Sequence, residues 1–126
     1  MKKFLILLPL FLYSSEDFIS DYEYGEMLYN NPRGIGCAEC HGDDGAGTTI
    51  AEYIDDDNKT KTINSPDLHK ESLSSIINSV NRSHEIMPRY YLTRKEVRAI
   101  FEYLQEQRTK DNKVKKIIKS KSPEVK

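Results

Sequence analysis

Two cysteines and a histidine lie close together in the first third of the chain, in the order Cys37-Ala38-Glu39-Cys40-His41. On a helical turn, a spacing of three residues places both thiols where they can add to the two vinyl groups of one porphyrin. His41 follows directly and can place its imidazole under the porphyrin iron. The C-x-x-C-H pattern therefore predicts one covalently attached haem c per chain, held by Cys37 and Cys40 and ligated by His41.

Three other uses of a cysteine pair fit the sequence less well. A thiol–disulfide site opens a helix after a strand, whereas a loop containing Pro and Gly lies directly ahead of this motif. A zinc site needs a fourth ligand and usually a second cysteine pair, and only His69 and His84 remain to supply one. A disulfide between Cys37 and Cys40 would be strained and would leave His41 without a role.

Haem iron takes a second axial ligand, and methionine raises the reduction potential relative to a second histidine. Met87 is the candidate, because Pro88 after it prevents a local helix and lets a side chain approach the iron from a loop. His84 lies three residues earlier in the same loop and is the rival, and His69 is a weaker one. The residues alone leave Met87 and His84 both open.

The first residues have the layout of a secretory signal peptide. Two lysines precede an apolar run from Phe4 to Leu12, which is well short of the roughly 18 residues needed to cross a bilayer. We therefore assign residues 1–14 to a cleaved signal peptide and expect the protein in the periplasm. The length of 126 residues leaves room for one domain, which we place at 15–108.

Charge divides the remaining chain into two parts. Residues 15–107 carry 18 acidic and 9 basic side chains, whereas residues 108–126 carry 2 acidic and 8 basic ones. Because the basic segment offers few bulky apolar residues, we expect 109–126 to be a disordered tail. The tail could bind an anionic membrane surface or an acidic partner, or serve only as a solubilising end.

The apolar spacing predicts helices and no strands. One helix is expected from residue 17 or 20 to Tyr29, a second from Glu71 to Val80, and a third from Thr93 to about Arg108, where T-x-x-E predicts a capping box. Residues 42–64 are expected to form an irregular, solvated acidic loop, because the spacing of a calcium-binding EF-hand is missing. The prediction is an all-α fold, with three to four short helices wrapped around the haem.

These residues resemble the small soluble class I cytochromes c of bacteria and photosynthetic organisms, from about Tyr24 to Leu104. The resemblance implies the class I cytochrome c fold. It also implies that Gly25 lets the first helix pack tightly on the last, at Ile100 and Tyr103. The residues that carry the resemblance are Gly25, Tyr29, Cys37 to Gly42, Gly45, Gly47, Pro66, Leu68, Met87, Pro88, Ile100 and Tyr103.

The same resemblance implies roles around the proposed haem. Pro66 would offer its carbonyl to the outer nitrogen of His41, which fixes the ring and makes it a stronger ligand. Leu68 would line the haem pocket. Residues 55–61 are an insertion relative to the spacing of the family.

A six-coordinate iron has no open site for substrate, so one-electron exchange through the haem edge is the remaining reaction. We expect a periplasmic electron carrier, not an enzyme, that shuttles electrons between respiratory-chain partners. The negative domain predicts basic docking faces and weak interfaces of under about 1,200 Å² on those redox proteins.

No nucleic-acid partner is expected, membrane contact is expected to be peripheral at most, and the chain is expected to be a monomer. The alternative function is a haem-based sensor or small-ligand-binding module with an open or displaceable sixth position. A haem peroxidase fits less well, since the chain has a single C-x-x-C-H motif and so no second haem to store an electron.

Overall fold

The computed structural model describes residues 18–121. The elements in chain order are α1 (Asp21–Asn30), α2 (Ala38–His41), β1 (Thr49–Ile54), β2 (Thr60–Asn64), a 3-10 turn (Leu68–Lys70), α3 (Leu73–Val80) and α4 (Arg94–Lys121). The signal peptide assigned to residues 1–14 lies outside the described residues. Within residues 18–121, no helix has both the length and the apolar character needed to cross a membrane.

The all-α prediction is wrong, because β1 and β2 form a two-stranded antiparallel sheet where an irregular loop was expected. The register pairs Thr49 with Asn64 and Ile54 with Thr60, with an irregularity after Thr49. Threonine, isoleucine and tyrosine supply most of the two strands, and these residue types favour extended backbone. The fold is therefore mixed, with four α-helices and one hairpin in the described part of the chain.

The acidic run between the strands is the hairpin turn and not a free loop. The carboxylate of Asp55 accepts hydrogen bonds from the backbone N–H groups of Asp57 and Lys59, at 3.1 and 2.9 Å. Asn58 has a φ of 59°, a left-handed conformation that asparagine adopts more readily than most residues. The carboxylates that suggested a solvated loop thus include one that closes the turn.

Helix α1 packs on α4 through Gly25. A Cβ atom at this position would overlap the carbonyl oxygen of Ala99 and would stand 3.0 Å from the Cβ of Tyr103. The close approach at Tyr103 was expected, whereas Ala99 takes the place expected for Ile100. Ile100 instead lines a cavity beside Cys37, Cys40 and His41, which is described below.

The start of α4 carries the predicted capping box. The backbone N–H of Thr93 donates to Glu96 Oε2 at 2.7 Å, and the backbone N–H of Glu96 donates to Thr93 Oγ1 at 3.3 Å. Glu96 also accepts from Arg33 Nη1 at 2.8 Å, which ties the loop ahead of the cysteine motif to α4. The Glu96 carboxylate therefore both caps the start of α4 and joins α4 to the loop ahead of the cysteine motif.

The end of α4 differs from the prediction. The helix continues to Lys121, about three and a half turns past the expected end near Arg108, so residues 109–121 are helical where a disordered tail was expected. Lysine is a good helix former, and Val114, Ile117 and Ile118 recur at helical spacing. The prediction failed because it took the segment as almost free of apolar residues.

The apolar core lies between α1, α3, α4 and the segment that leads into α4. It is small, and its members are Leu28, Tyr29, Ile76, Val80, Tyr90, Leu92, Val97, Ile100, Tyr103 and Leu104.

Candidate functional site

The cysteine motif is held on the short helix α2. Cys37 precedes the first residue of this helix, and its carbonyl accepts a hydrogen bond from the His41 backbone N–H at 2.9 Å. The N–H of Cys37 donates to the carbonyl of Tyr29 at 2.8 Å, which joins the motif to the end of α1. Gly42, with a φ of 81°, ends the helix in a conformation that favours glycine. Both thiols are free and half-buried.

The two thiols and His41 line a cavity of about 360 Å³ that opens to solvent. This volume lies within the roughly 300–1,000 Å³ typical of cofactor pockets. Residues from the hairpin, α3, α4 and the segments between them complete a mostly apolar lining. They include Ile50, Ile63, Pro66, Leu68, Ile76, Val80, Met87, Tyr90, Ile100 and Leu104.

The His41 ring is oriented by a backbone carbonyl. Its Nδ1 lies 3.3 Å from the carbonyl oxygen of Pro66, the contact that the family resemblance implied. A carbonyl can only accept, so Nδ1 carries the proton and Nε2 keeps its lone pair for a metal. Burial lowers the pKa of His41, and the hydrogen bond to Pro66 opposes that shift. Burial therefore favours the neutral imidazole that an iron ligand must be.

The thiol of Cys37 is poorly suited to thiol–disulfide chemistry. Burial raises the pKa of Cys37 to about 11, with a smaller contribution from the neighbouring Cys40. Cysteines that attack disulfides have a lowered pKa and react as thiolates. Across residues 18–121, no three His, Cys, Asp or Glu side chains are grouped to hold a metal ion, so the zinc alternative gains no support.

The three candidates for the second axial ligand differ in their surroundings. Met87 is half-buried, packs against the apolar core and lines the cavity. His84 also lines the cavity, but it is exposed and its Nε2 lies 2.9 Å from the carbonyl oxygen of Ser79. His69 is absent from the cavity wall, and its Nδ1 lies 3.4 Å from Asp67 Oδ1.

Sequence reasoning missed the contribution of the hairpin to the site. Ile50 on β1 and Ile63 on β2 both line the cavity. The signal available in the sequence was the content of β-branched and aromatic residues, because neither strand alternates regularly between apolar and polar residues. Both residues lie outside the insertion at 55–61, so the strands on either side of it, and not the insertion itself, contribute to the cavity wall.

The donor set and the lining fit a c-type haem. Two thiols lie beside an imidazole whose free nitrogen is available, and a thioether lines the same cavity. The rest of the wall is largely aliphatic and aromatic, as the faces of a porphyrin require.

A family model described as "Cytochrome C oxidase, cbb3-type, subunit III" matches residues 20–104. No curated protein and no solved structure matches the chain. The matched range contains every residue that lines the cavity and stops before the extension of α4. The chain therefore belongs to this family of cytochrome c domains and binds a covalently attached c-type haem.

Proposed function

We propose that the protein is a one-electron carrier whose haem iron is ligated by His41 and Met87. When bound, the haem supplies a reversible one-electron couple between ferric and ferrous iron. The observation that carries the proposal is that Cys37, Cys40, His41 and Met87 all line one cavity. His41 and Met87 would both hold the iron, which would leave no place on it for a substrate, so that electron exchange would be the remaining reaction.

The residues around the cavity perform separate tasks in this proposal. Pro66 holds the His41 ring in one tautomer, which would leave Nε2 free to bind the iron. Pro88 keeps the backbone next to Met87 out of a helix, so that the thioether can reach the iron from a loop. The apolar wall excludes water, which limits solvent reorganisation when the charge on the iron changes.

His84 remains the alternative ligand. Its ring already has an acceptor in the carbonyl of Ser79 and lies largely in solvent, whereas Met87 packs on the core. Ligation by His84 would require breaking that contact and burying an exposed ring. These differences support Met87.

The charge of the domain and the family match both support redox proteins as partners. The domain carries 18 acidic against 9 basic side chains over residues 15–107, which suits redox proteins with basic docking faces. The family name describes a subunit of a cytochrome c oxidase, which supports a place among respiratory redox proteins. We propose that the protein works as a monomeric, class I-type carrier. Residues 1–14 direct its export to the periplasm and are then cleaved.

The test is an absorption spectrum of the purified exported protein, recorded oxidised and reduced, with an intact mass. We expect a mass gain of one haem over the chain lacking residues 1–14. We also expect low-spin spectra, with the weak red band of methionine on ferric haem. Met87→Ala should abolish this band, while His84→Ala should keep it.

Other outcomes would redirect the proposal. If His84→Ala removes the low-spin signal and Met87→Ala does not, the second ligand is His84. High-spin iron that binds carbon monoxide at once would favour the haem-based sensor or ligand-binding module. A mass equal to that of the bare chain would contradict covalent attachment.

A further inference from the structure

The last three turns of α4 form a surface that the cytochrome function does not use. The family match ends at residue 104, whereas the helix continues to Lys121. Arg108 donates to the carbonyl of His69 at 3.0 Å, and Lys110 donates to the hydroxyl of Tyr22 at 3.1 Å. These two contacts hold α4 to the domain, and the helix extends beyond them. We call residues 110–121 the α4 extension.

The α4 extension has one apolar face. Val114, Ile117 and Ile118 follow the i, i+3, i+4 spacing that places side chains on the same side of a helix. They are 53%, 53% and 64% exposed. Aliphatic side chains that line up in this way are costly to leave in water. The face is therefore suited to contact with another apolar phase.

Basic residues surround this face. The α4 extension contains six lysines and a single acidic residue, Asp111. Lys113, Lys115 and Lys116 lie within the same turns as the three aliphatic residues, and all three are exposed. A helix with an aliphatic stripe and a lysine-rich remainder lies in the headgroup region of anionic bilayers, with each lysine adding to the attraction.

We propose that the α4 extension binds the surface of an anionic lipid bilayer. The aliphatic stripe enters the boundary between headgroups and acyl chains, and the lysines contact lipid phosphates. A second copy of the chain is a poorer occupant, because two such faces would bring their lysines together. The net negative charge of residues 15–107 repels the same lipids, so that the helix end and not the domain makes the contact.

The test is co-sedimentation of the haem-loaded protein with vesicles at low ionic strength. One set contains phosphatidylcholine alone, and the other adds phosphatidylglycerol. We expect binding to the second set only, reversed by salt. Replacing Ile117 and Ile118 by serine should weaken binding at least tenfold. Replacing Lys113 and Lys116 by glutamine should weaken it on the order of 30-fold. Far-UV circular dichroism and a cooperative thermal transition show that each variant is folded.

The hairpin supplies matched controls. Ile54 is 68% exposed, so Ile54→Ser removes an aliphatic side chain as exposed as Ile118. Lys59→Gln with Lys61→Gln changes the net charge by the same amount as the two lysine changes on the α4 extension. Both controls should bind anionic vesicles nearly as well as the wild type. An equal loss in these controls would contradict the assignment to α4.

Three further results would overturn the proposal. Binding to phosphatidylcholine alone, at equal strength, would remove the role of anionic lipid. Absence of vesicle binding together with retention on immobilised polyglutamate would assign the lysines to an acidic protein partner. Absence of vesicle binding together with a dimer that Ile117→Ser dissociates would assign the face to self-association. Each outcome is independent of whether the haem carries electrons.

Discussion

Gly25 allows the close contact between helices α1 and α4. A methyl group there would overlap the carbonyl oxygen of Ala99, and backbone cannot yield as a flexible side chain can. We expect Gly25→Ala to lower the free energy of unfolding by roughly 1–3 kcal/mol, measured by denaturant titration of the haem-loaded protein. Gly34→Ala is the matched control, because its Cβ would meet only Tyr90, at 3.8 Å. Equal stability of the two variants would contradict the close helix contact.

Glu96 makes the stability depend on acid pH. Hydrogen bonds, first from the Arg33 side chain and then from the Thr93 backbone, lower the pKa of Glu96 from 4.5 to about 2. Because the folded pKa lies below the unfolded one, this contribution is complete above pH about 4.5 and disappears as the pH falls towards 2. We expect Glu96→Gln to be less stable than the wild type at neutral pH.

The pH profile tests this assignment. The difference in unfolding free energy between the wild type and Glu96→Gln should shrink between pH 4.5 and 2. Glu102→Gln, a change of an exposed carboxyl on the same helix, is the control. A constant difference across that range would mean that the carboxylate charge has no part in the contribution.

The helices and strands show which parts of the fold could be predicted from sequence patterns. The start of α4 was predictable, because Thr93 and Glu96 have a local capping pattern that needs no tertiary information. The hairpin was not, because each strand is short and the acidic residues between them are typical of both loops and turns. The end of α4 was not predicted, because the many lysines in this segment hid the helical spacing of Val114, Ile117 and Ile118.

In the candidate site, too, local sequence patterns were predictable and contacts between distant residues were not. Cys37, Cys40 and His41 are adjacent in sequence, so their spacing alone predicts their chemistry. Ile50 and Ile63 reach the cavity only through strand pairing, which a single sequence does not reveal. Local patterns thus predicted the attachment point, while the wall required tertiary structure.

The hairpin should influence the reduction potential. Serine at both Ile50 and Ile63 admits water to the cavity wall, and water favours the more highly charged ferric state. We expect a lower potential by redox titration, with the methionine band unchanged. Ile54→Ser, on an exposed hairpin position, is the control and should leave the potential unchanged. Equal potentials in all three proteins would mean that the hairpin does not shield the haem.

At the scale of the whole molecule, the apolar core is small and borders a cavity of about 360 Å³. A cofactor that fills this space supplies much of the buried apolar contact, so the chain without haem should be poorly packed. We expect the Cys37→Ala, Cys40→Ala variant to keep helical far-UV dichroism but to lose its near-UV signal and cooperative melting. A sharp, cooperative transition in that variant would contradict this dependence.

The uneven charge should govern encounters with redox partners. Residues 15–107 carry 18 acidic and 9 basic side chains, so attraction to a basic docking face is screened as salt is added. We expect the second-order rate of electron transfer to fall as ionic strength rises, measured by stopped-flow mixing with a basic redox protein. A rate independent of salt would exclude electrostatic steering.

Helix α4 passes the cofactor cavity at Ile100 and Leu104 and continues to Lys121. Leu104 lines the cavity and Ile117 lies thirteen residues further along, a distance of about 20 Å at 1.5 Å per residue. On a bilayer bound through Ile117, as proposed above, the helix would set the height of the cofactor cavity over that surface. A protein bound in this way would search for its partners in two dimensions, always presenting the same side.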